Sequence, residues 1–79
     1  MLEVVIPEVG SEGEKLKLTN WYKKEGDRVI QGELLLAVSS GKVNFQIESP
    51  YTGILNKILV PVGKRVERGT LVAYIEEEK

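Results

Sequence analysis

The sequence predicts an all-β domain, a flattened barrel or sandwich of two small antiparallel sheets related by an internal pseudo-twofold duplication. Three observations predict it. First, residues 26–38, GDRVIQGELLLAV, lie over residues 63–75, GKRVERGTLVAYI, thirty-seven positions on. Gly26/Gly63, Arg28/Arg65, Val29/Val66, Gly32/Gly69 and Leu34/Leu71 are identical, five of thirteen columns, while Leu35/Val72 and Val38/Ile75 stay apolar. Such self-similarity at a fixed offset marks a duplicated unit. Second, eight glycines fall mostly between short runs of β-branched and aliphatic residues, the rhythm of strands and turns. Third, the apolar residues recur with period two and nowhere with the period of a helix.

In chain order, Leu2 to Ile6 forms a first strand, closed by Pro7, which has no amide hydrogen for a ladder. Residues 8–14 are an acidic, glycine-containing loop. Residues 15–22, KLKLTNWY, alternate so that Leu16, Leu18 and Trp21 face a core, with the register open near Asn20. Residues 24–27, KEGD, turn the chain into a short strand from Arg28 to Ile30, which Gln31-Gly32 ends. Leu34 to Ser39 is an apolar strand. Val43 to Glu48 alternates again, with Val43, Phe45 and Ile47 on one face. Between these two strands lies a tight hairpin at Ser40-Gly41-Lys42, where Gly41 can take a positive φ. Pro50 to Gly53 turns the chain, Ile54 to Val60 repeats the role of residues 15–22, and the second copy follows. Glu76 to Lys79 begins a solvated tail or linker. Lys42 stands between the copies, and its counterpart thirty-seven positions on is Lys79, so the hairpin tip and the chain end are expected at equivalent, opposite poles.

All 79 residues fit one domain, near the size at which a core holds without disulfide or metal. There is no Cys and no His, so burial rests on Val, Leu and Ile with five aromatics, Trp21, Tyr22, Phe45, Tyr51 and Tyr74. Eleven basic and twelve acidic residues leave no net field to draw in nucleic acid or an anionic membrane. Lys15, Lys17, Lys23 and Lys24 lie among acidic residues and suit a solvated surface better than a nucleic-acid stripe. No run approaches the roughly 18 apolar residues of a membrane span, and Met1-Leu2-Glu3 opens no signal peptide. Absence of Cys suits a reducing compartment, the cytoplasm or, in a eukaryote, the mitochondrial matrix. The commonest nucleophile and base residues are missing, and no G-x-S-x-G or H-E-x-x-H spacing occurs, so no catalytic or metal site of its own is expected.

Read as an ordered set, several short motifs resemble the lipoyl domain, the carrier module of 2-oxoacid dehydrogenase acyltransferases in the biotinyl/lipoyl attachment family. Ile6-Pro7-Glu8-Val9-Gly10 is similar to the family's opening L-P-D-I-G, and Lys24-Glu25-Gly26-Asp27 matches its K-E-G-D turn. Trp21, Gly32, Leu34, Pro50, Gly53, Gly63, Val66, Gly69 and Leu71 fall at family positions, and Lys42-Val43 matches the modified D-K-A or D-K-V turn. The resemblance implies lipoic acid in amide linkage on Lys42, presented by the turn of Ser40, Gly41 and Val43. It implies a swinging arm that shuttles acyl groups and electrons between active sites. The partners it implies are a lipoate ligase or lipoyl transferase, a 2-oxoacid decarboxylating dehydrogenase, dihydrolipoyl dehydrogenase and the rest of the acyltransferase core.

Two departures bear on those partners. The family's usual Asp before the lysine is Gly41 here, and the Glu-Thr before that is Ser39-Ser40, so the turn lacks its neighbouring carboxylates. The loop bearing Glu8, Glu12 and Glu14, a candidate partner-recognition surface or else an acidic loop for solubility, adjoins the lipoyl turn in such domains and also places its glycines differently. Ser39 and Ser40 suit turn chemistry rather than nucleophilic catalysis, since no base is available. Other readings stay open. Biotin on Lys42 would make a carboxyl carrier, although Gly41 and Val43 stand where methionines flank a biotinyl lysine. An unmodified, lipoyl-like structural adaptor would suit the bare turn. A glycine-cleavage H protein needs more chain, and an autonomous enzyme is the most remote.

Overall fold

The computed structural model describes residues 1–10 and 15–78. The described residues form eight strands and no helix: β1 (Leu2–Val5), β2 (Leu16–Trp21), β3 (Arg28–Val29), β4 (Leu34–Ser39), β5 (Asn44–Glu48), β6 (Gly53–Ile58), β7 (Arg65–Val66) and β8 (Leu71–Glu77). One sheet has the order β1-β8-β6-β3 and the other β5-β4-β2-β7, with every neighbouring pair antiparallel. The molecule measures 38 × 19 × 18 Å. Its short dimensions hold two sheets about 10 Å apart and no third layer.

The duplication is visible in every pairing. An offset of thirty-seven carries β2 onto β6, β3 onto β7 and β4 onto β8, and so turns one sheet order into the other. β1 and β5 correspond at forty-three, because Val4 opposes Ala73 as Ile47 opposes Leu36. The six extra residues lie in the β1–β2 connection.

Each half is closed by the other. The Gly26 amide donates to the Leu55 carbonyl at 2.7 Å and the Leu55 amide to the Asp27 carbonyl at 2.8 Å. At the related place the Gly63 amide donates to Leu18 at 2.8 Å and the Leu18 amide to Lys64 at 2.9 Å. Gly26 and Gly63 have φ of +95° and +96°. That region is strained for any residue with a Cβ, which explains glycine in both copies.

Local irregularities are duplicated too. Thr19 is an extra residue between the Leu18–Val38 and Asn20–Ala37 pairs, as Asn56 is between Leu55–Ile75 and Lys57–Tyr74. The bulge resolves the register of β2. Leu16 and Leu18 point inward, the extra Thr19 shifts the parity, and Trp21 rather than Asn20 returns to the core side. Trp21 is half-buried and its indole Nε1–H donates to the Val60 carbonyl at 2.8 Å, satisfying its polar edge. Leu35 and Val72 are the matching bulge residues of β4 and β8, and both are fully buried.

The core between the sheets is aliphatic: Val4, Ile6, Leu16, Leu18, Val29, Leu36, Val38, Leu55, Val66 and Ile75 are all buried with the two bulge residues. Tyr51 and Phe45 pack against its rim. Two sequence expectations need correction. Val43 does not share the inner face with Phe45 and Ile47; it lies ahead of β5 in the hairpin and is half exposed, since the loop there leaves no opposing sheet to cover it. Glu76 and Glu77 do not begin a tail. They extend β8 opposite Ile54 and Gly53, solvated side chains on a paired backbone.

Gly53 is buried at the start of β6, opposite Glu77 of the neighbouring strand β8. A Cβ there would collide with the Glu76 carbonyl and lie 2.9 Å from Ile75 Cγ2. Gly53→Ala should therefore cost about 1–3 kcal/mol, the usual penalty of overpacking. Urea unfolding measures it, and an unchanged midpoint would show that β6 and β8 have slack the packing does not suggest.

Candidate functional site

β4 and β5 are joined by a hairpin whose last ladder pair is Ser39–Asn44. Beyond it the Ser40 amide donates to the Val43 carbonyl at 3.0 Å, leaving Gly41 and Lys42 as the two central residues. Gly41 has φ +96°, whereas Lys42 has a negative φ. A positive φ at the first central position is one that glycine takes without a Cβ penalty. Two hydroxyls hold the loop: Ser39 Oγ accepts from the Gly41 amide at 3.0 Å, and Ser40 Oγ accepts from the Val43 amide at 3.2 Å. Ser39 and Ser40 thus do turn chemistry, as the sequence suggested.

Lys42 is exposed at the tip and makes no ion pair among the described residues. Among the described residues, acylating its amine leaves no carboxylate unpaired. The side chain therefore fits an amide-linked prosthetic group, and Gly41, Lys42 and Val43 are all exposed around it. Among the described residues no group of three or more metal-ligating side chains converges.

Alongside the hairpin lies an open hollow of about 310 Å³, lined by Lys15, Lys17, Ser39, Ser40, Gly41 and Arg65. Lys17 stands directly opposite both Ser39 and Arg65 in the ladder. Sequence reasoning took Lys17 for ordinary surface and did not single out Arg65. The signal that could have found them was the duplication itself, which sets Arg65 under Arg28. Arg28 is an exposed guanidinium whose Nε donates to Glu78 Oε2 at 2.7 Å.

Of the acidic loop, Glu8 is exposed and its carboxylate lies 3.6 Å from Arg68, away from the hollow's lining. Glu12 and Glu14 fall outside the described residues.

The profile of the Biotin-requiring enzyme family (Biotin_lipoyl) matches residues 2–75, nearly the whole chain. The chain belongs to the biotin/lipoyl attachment family. It is 34% identical over 76 residues to the dihydrolipoyllysine-residue succinyltransferase component of the 2-oxoglutarate dehydrogenase complex of Rickettsia bellii, covering 96% of this chain and 19% of that protein. It is 36% identical over 74 residues to the dihydrolipoyllysine-residue acetyltransferase component of the acetoin cleaving system of Bacillus subtilis, covering 94% and 19%. The chain thus spans about a fifth of the length of these relatives. The solution structure of the lipoyl domain of the Azotobacter vinelandii 2-oxoglutarate dehydrogenase complex superposes with a TM-score of 0.79 at 22% identity, over all of both chains. The all-β architecture expected from the sequence is that of a family domain.

The hydrogen bond to Arg28, with its charge, holds the Glu78 carboxyl below its usual pKa. Because the folded value is depressed, the pair stabilises the fold above the unfolded pKa and is lost as pH falls through the folded one. Side-chain carboxyl titration by NMR should find a lower midpoint for Glu78 in the parent than in Arg28→Gln. Equal midpoints would show that the pair does not persist in solution.

Proposed function

We propose that this chain is a swinging-arm carrier domain in which the Lys42 Nζ bears lipoic acid in amide linkage, as one module of an acyltransferase component of a 2-oxoacid dehydrogenase complex. The observation that carries the reading is Lys42 itself: exposed, unpaired among the described residues, and at the second central position of a two-residue turn in a family member. Relatives that align over nearly the whole chain include acyltransferase components of the 2-oxoglutarate and pyruvate dehydrogenase complexes and of an acetoin cleaving system.

The chain's own residues do three things. The Gly41 turn points the lysine away from both sheets, so an attaching enzyme can reach the amine. The Ser39 and Ser40 hydroxyls fix the base from which the side chain swings. The duplicated core keeps that base in register with the rest of the surface, so partners meet one shape. The bound dithiolane would supply acyl and electron transfer, and the tether would raise its effective concentration at each partner's active site. Productive partners would be a lipoate ligase or lipoyl transferase, a 2-oxoacid decarboxylating dehydrogenase, dihydrolipoyl dehydrogenase and the acyltransferase core.

Co-expression with a lipoate ligase and lipoic acid, followed by intact-mass measurement and peptide fragmentation, tests the reading. A single lipoyl increment on Lys42 is expected, absent from a Lys42→Arg variant that folds as the parent does. No adduct beside a control domain modified in the same cells would overturn the lipoyl reading and favour a structural adaptor. A biotin increment instead would make it a carboxyl carrier.

A further inference from the structure

The two halves differ in charge where the duplication should make them alike. On the sheet of β6 and β8 one cross-strand row reads Glu76, Ile54, Arg28 across β8, β6 and β3, with Glu78 closing onto Arg28. The related row beside the hairpin reads Ser39, Lys17, Arg65 across β4, β2 and β7, with Gly41 where Glu78 would be. Two carboxylates have become a hydroxyl and a hydrogen, and an isoleucine has become a lysine.

The row by the hairpin is therefore cationic and, among the described residues, has no internal neutraliser. Among the described residues neither Lys17 nor Arg65 has a carboxylate within salt-bridge distance. Glu67 lines the adjoining hollow with Lys15 and Arg65 but pairs with neither. Lys17 and Arg65 are direct cross-strand neighbours, and like charges so placed destabilise a sheet. The related pair, Ile54 and Arg28, avoids that penalty. With glycine at position 41, a hollow of about 310 Å³ lies beside the two cations.

We infer that Lys17 and Arg65, with Lys15 at the rim, form a docking row for a protein partner that offers a cluster of surface carboxylates beside its Lys42-accepting site. Placing that partner among those that address Lys42 rests on the carrier reading; the row and its charge do not. A protein surface fits better than a nucleic acid or a membrane. The chain carries a net charge of −1, so its far field does not gather extended polyanions, whereas a row of this size matches a few carboxylates at short range. The pairing would relieve the Lys17–Arg65 repulsion on contact.

The test is an NMR titration of the 15N-labelled domain with an acetylated, amidated octaglutamate peptide, which does not depend on whether Lys42 takes a prosthetic group. Shifts are expected at the amides of Lys17, Ser39, Gly41 and Arg65 and not around Arg28. They should shrink several-fold as ionic strength rises from about 0.01 M to about 1 M, where the Debye length falls from about 30 to about 3 Å. Lys17→Glu should abolish them and, by facing Arg65 with an opposite charge, raise the urea midpoint; Arg28→Gln should leave them intact. Shifts spread equally over both ends, shifts that survive Lys17→Glu, or equal shifts from inorganic phosphate alone would overturn the proposal. So would a domain that ignores the peptide and binds phosphatidylglycerol vesicles.

Discussion

The constraint on which the rest depends is that neither half of this chain can close by itself. The turn before β3 bonds to β6, and the turn before β7 bonds to β2, through the Gly26–Leu55 and Gly63–Leu18 clasps. Each clasp delivers a short strand, Val29 or Val66 inward, onto the sheet edge of the opposite half. The apolar side chains of both halves then share one core, which a chain of 79 residues without disulfides needs in order to bury enough surface. Glycine at the clasp, a left-handed turn and a crossed strand follow from one another.

That interlock also explains why a lysine can be displayed with so little structure around it. β4 is held on one side by β2 and on the other by β5, and β2 in turn is gripped by the Gly63 clasp. The hairpin therefore grows from a strand paired on both sides, and only residues 40–43 lie beyond its last ladder pair. The symmetry that builds the site is then broken by side chains. Ser39, Gly41 and Lys17 depart from Glu76, Glu78 and Ile54, and the departures gather on the face that borders Lys42. Where one row is sealed by the Arg28–Glu78 ion pair, the row by the hairpin has no such pair among the described residues.

Much of this was legible in the sequence because duplication is a one-dimensional signal. The five identical columns located β3, β4, β7 and β8 in outline, and the position of Lys42 between the copies located the site. What escaped were features set by pairing across the halves. The parity of KLKLTNWY cannot be read without the β4 partner that makes Thr19 a bulge. Glu76 and Glu77 are charged and terminal, so nothing local marks them as a strand; their backbone is paired because Gly53 and Ile54 lie opposite. Val43 is apolar and in step with Phe45 and Ile47, yet the turn ends the sheet one residue too soon to cover it. The ionic contrast between the two ends needs both register and duplication at once.

Native-state hydrogen exchange at the four clasp amides, Gly26, Leu55, Gly63 and Leu18, tests the interlock most directly. If the halves close each other, all four open only with the whole domain, with the same free energy as global unfolding by denaturant. The Lys42 amide, outside the ladder, should exchange far sooner. Opening of the Gly26–Leu55 pair at a free energy well below that of Gly63–Leu18 would show that one half stands without the other, and would contradict the account.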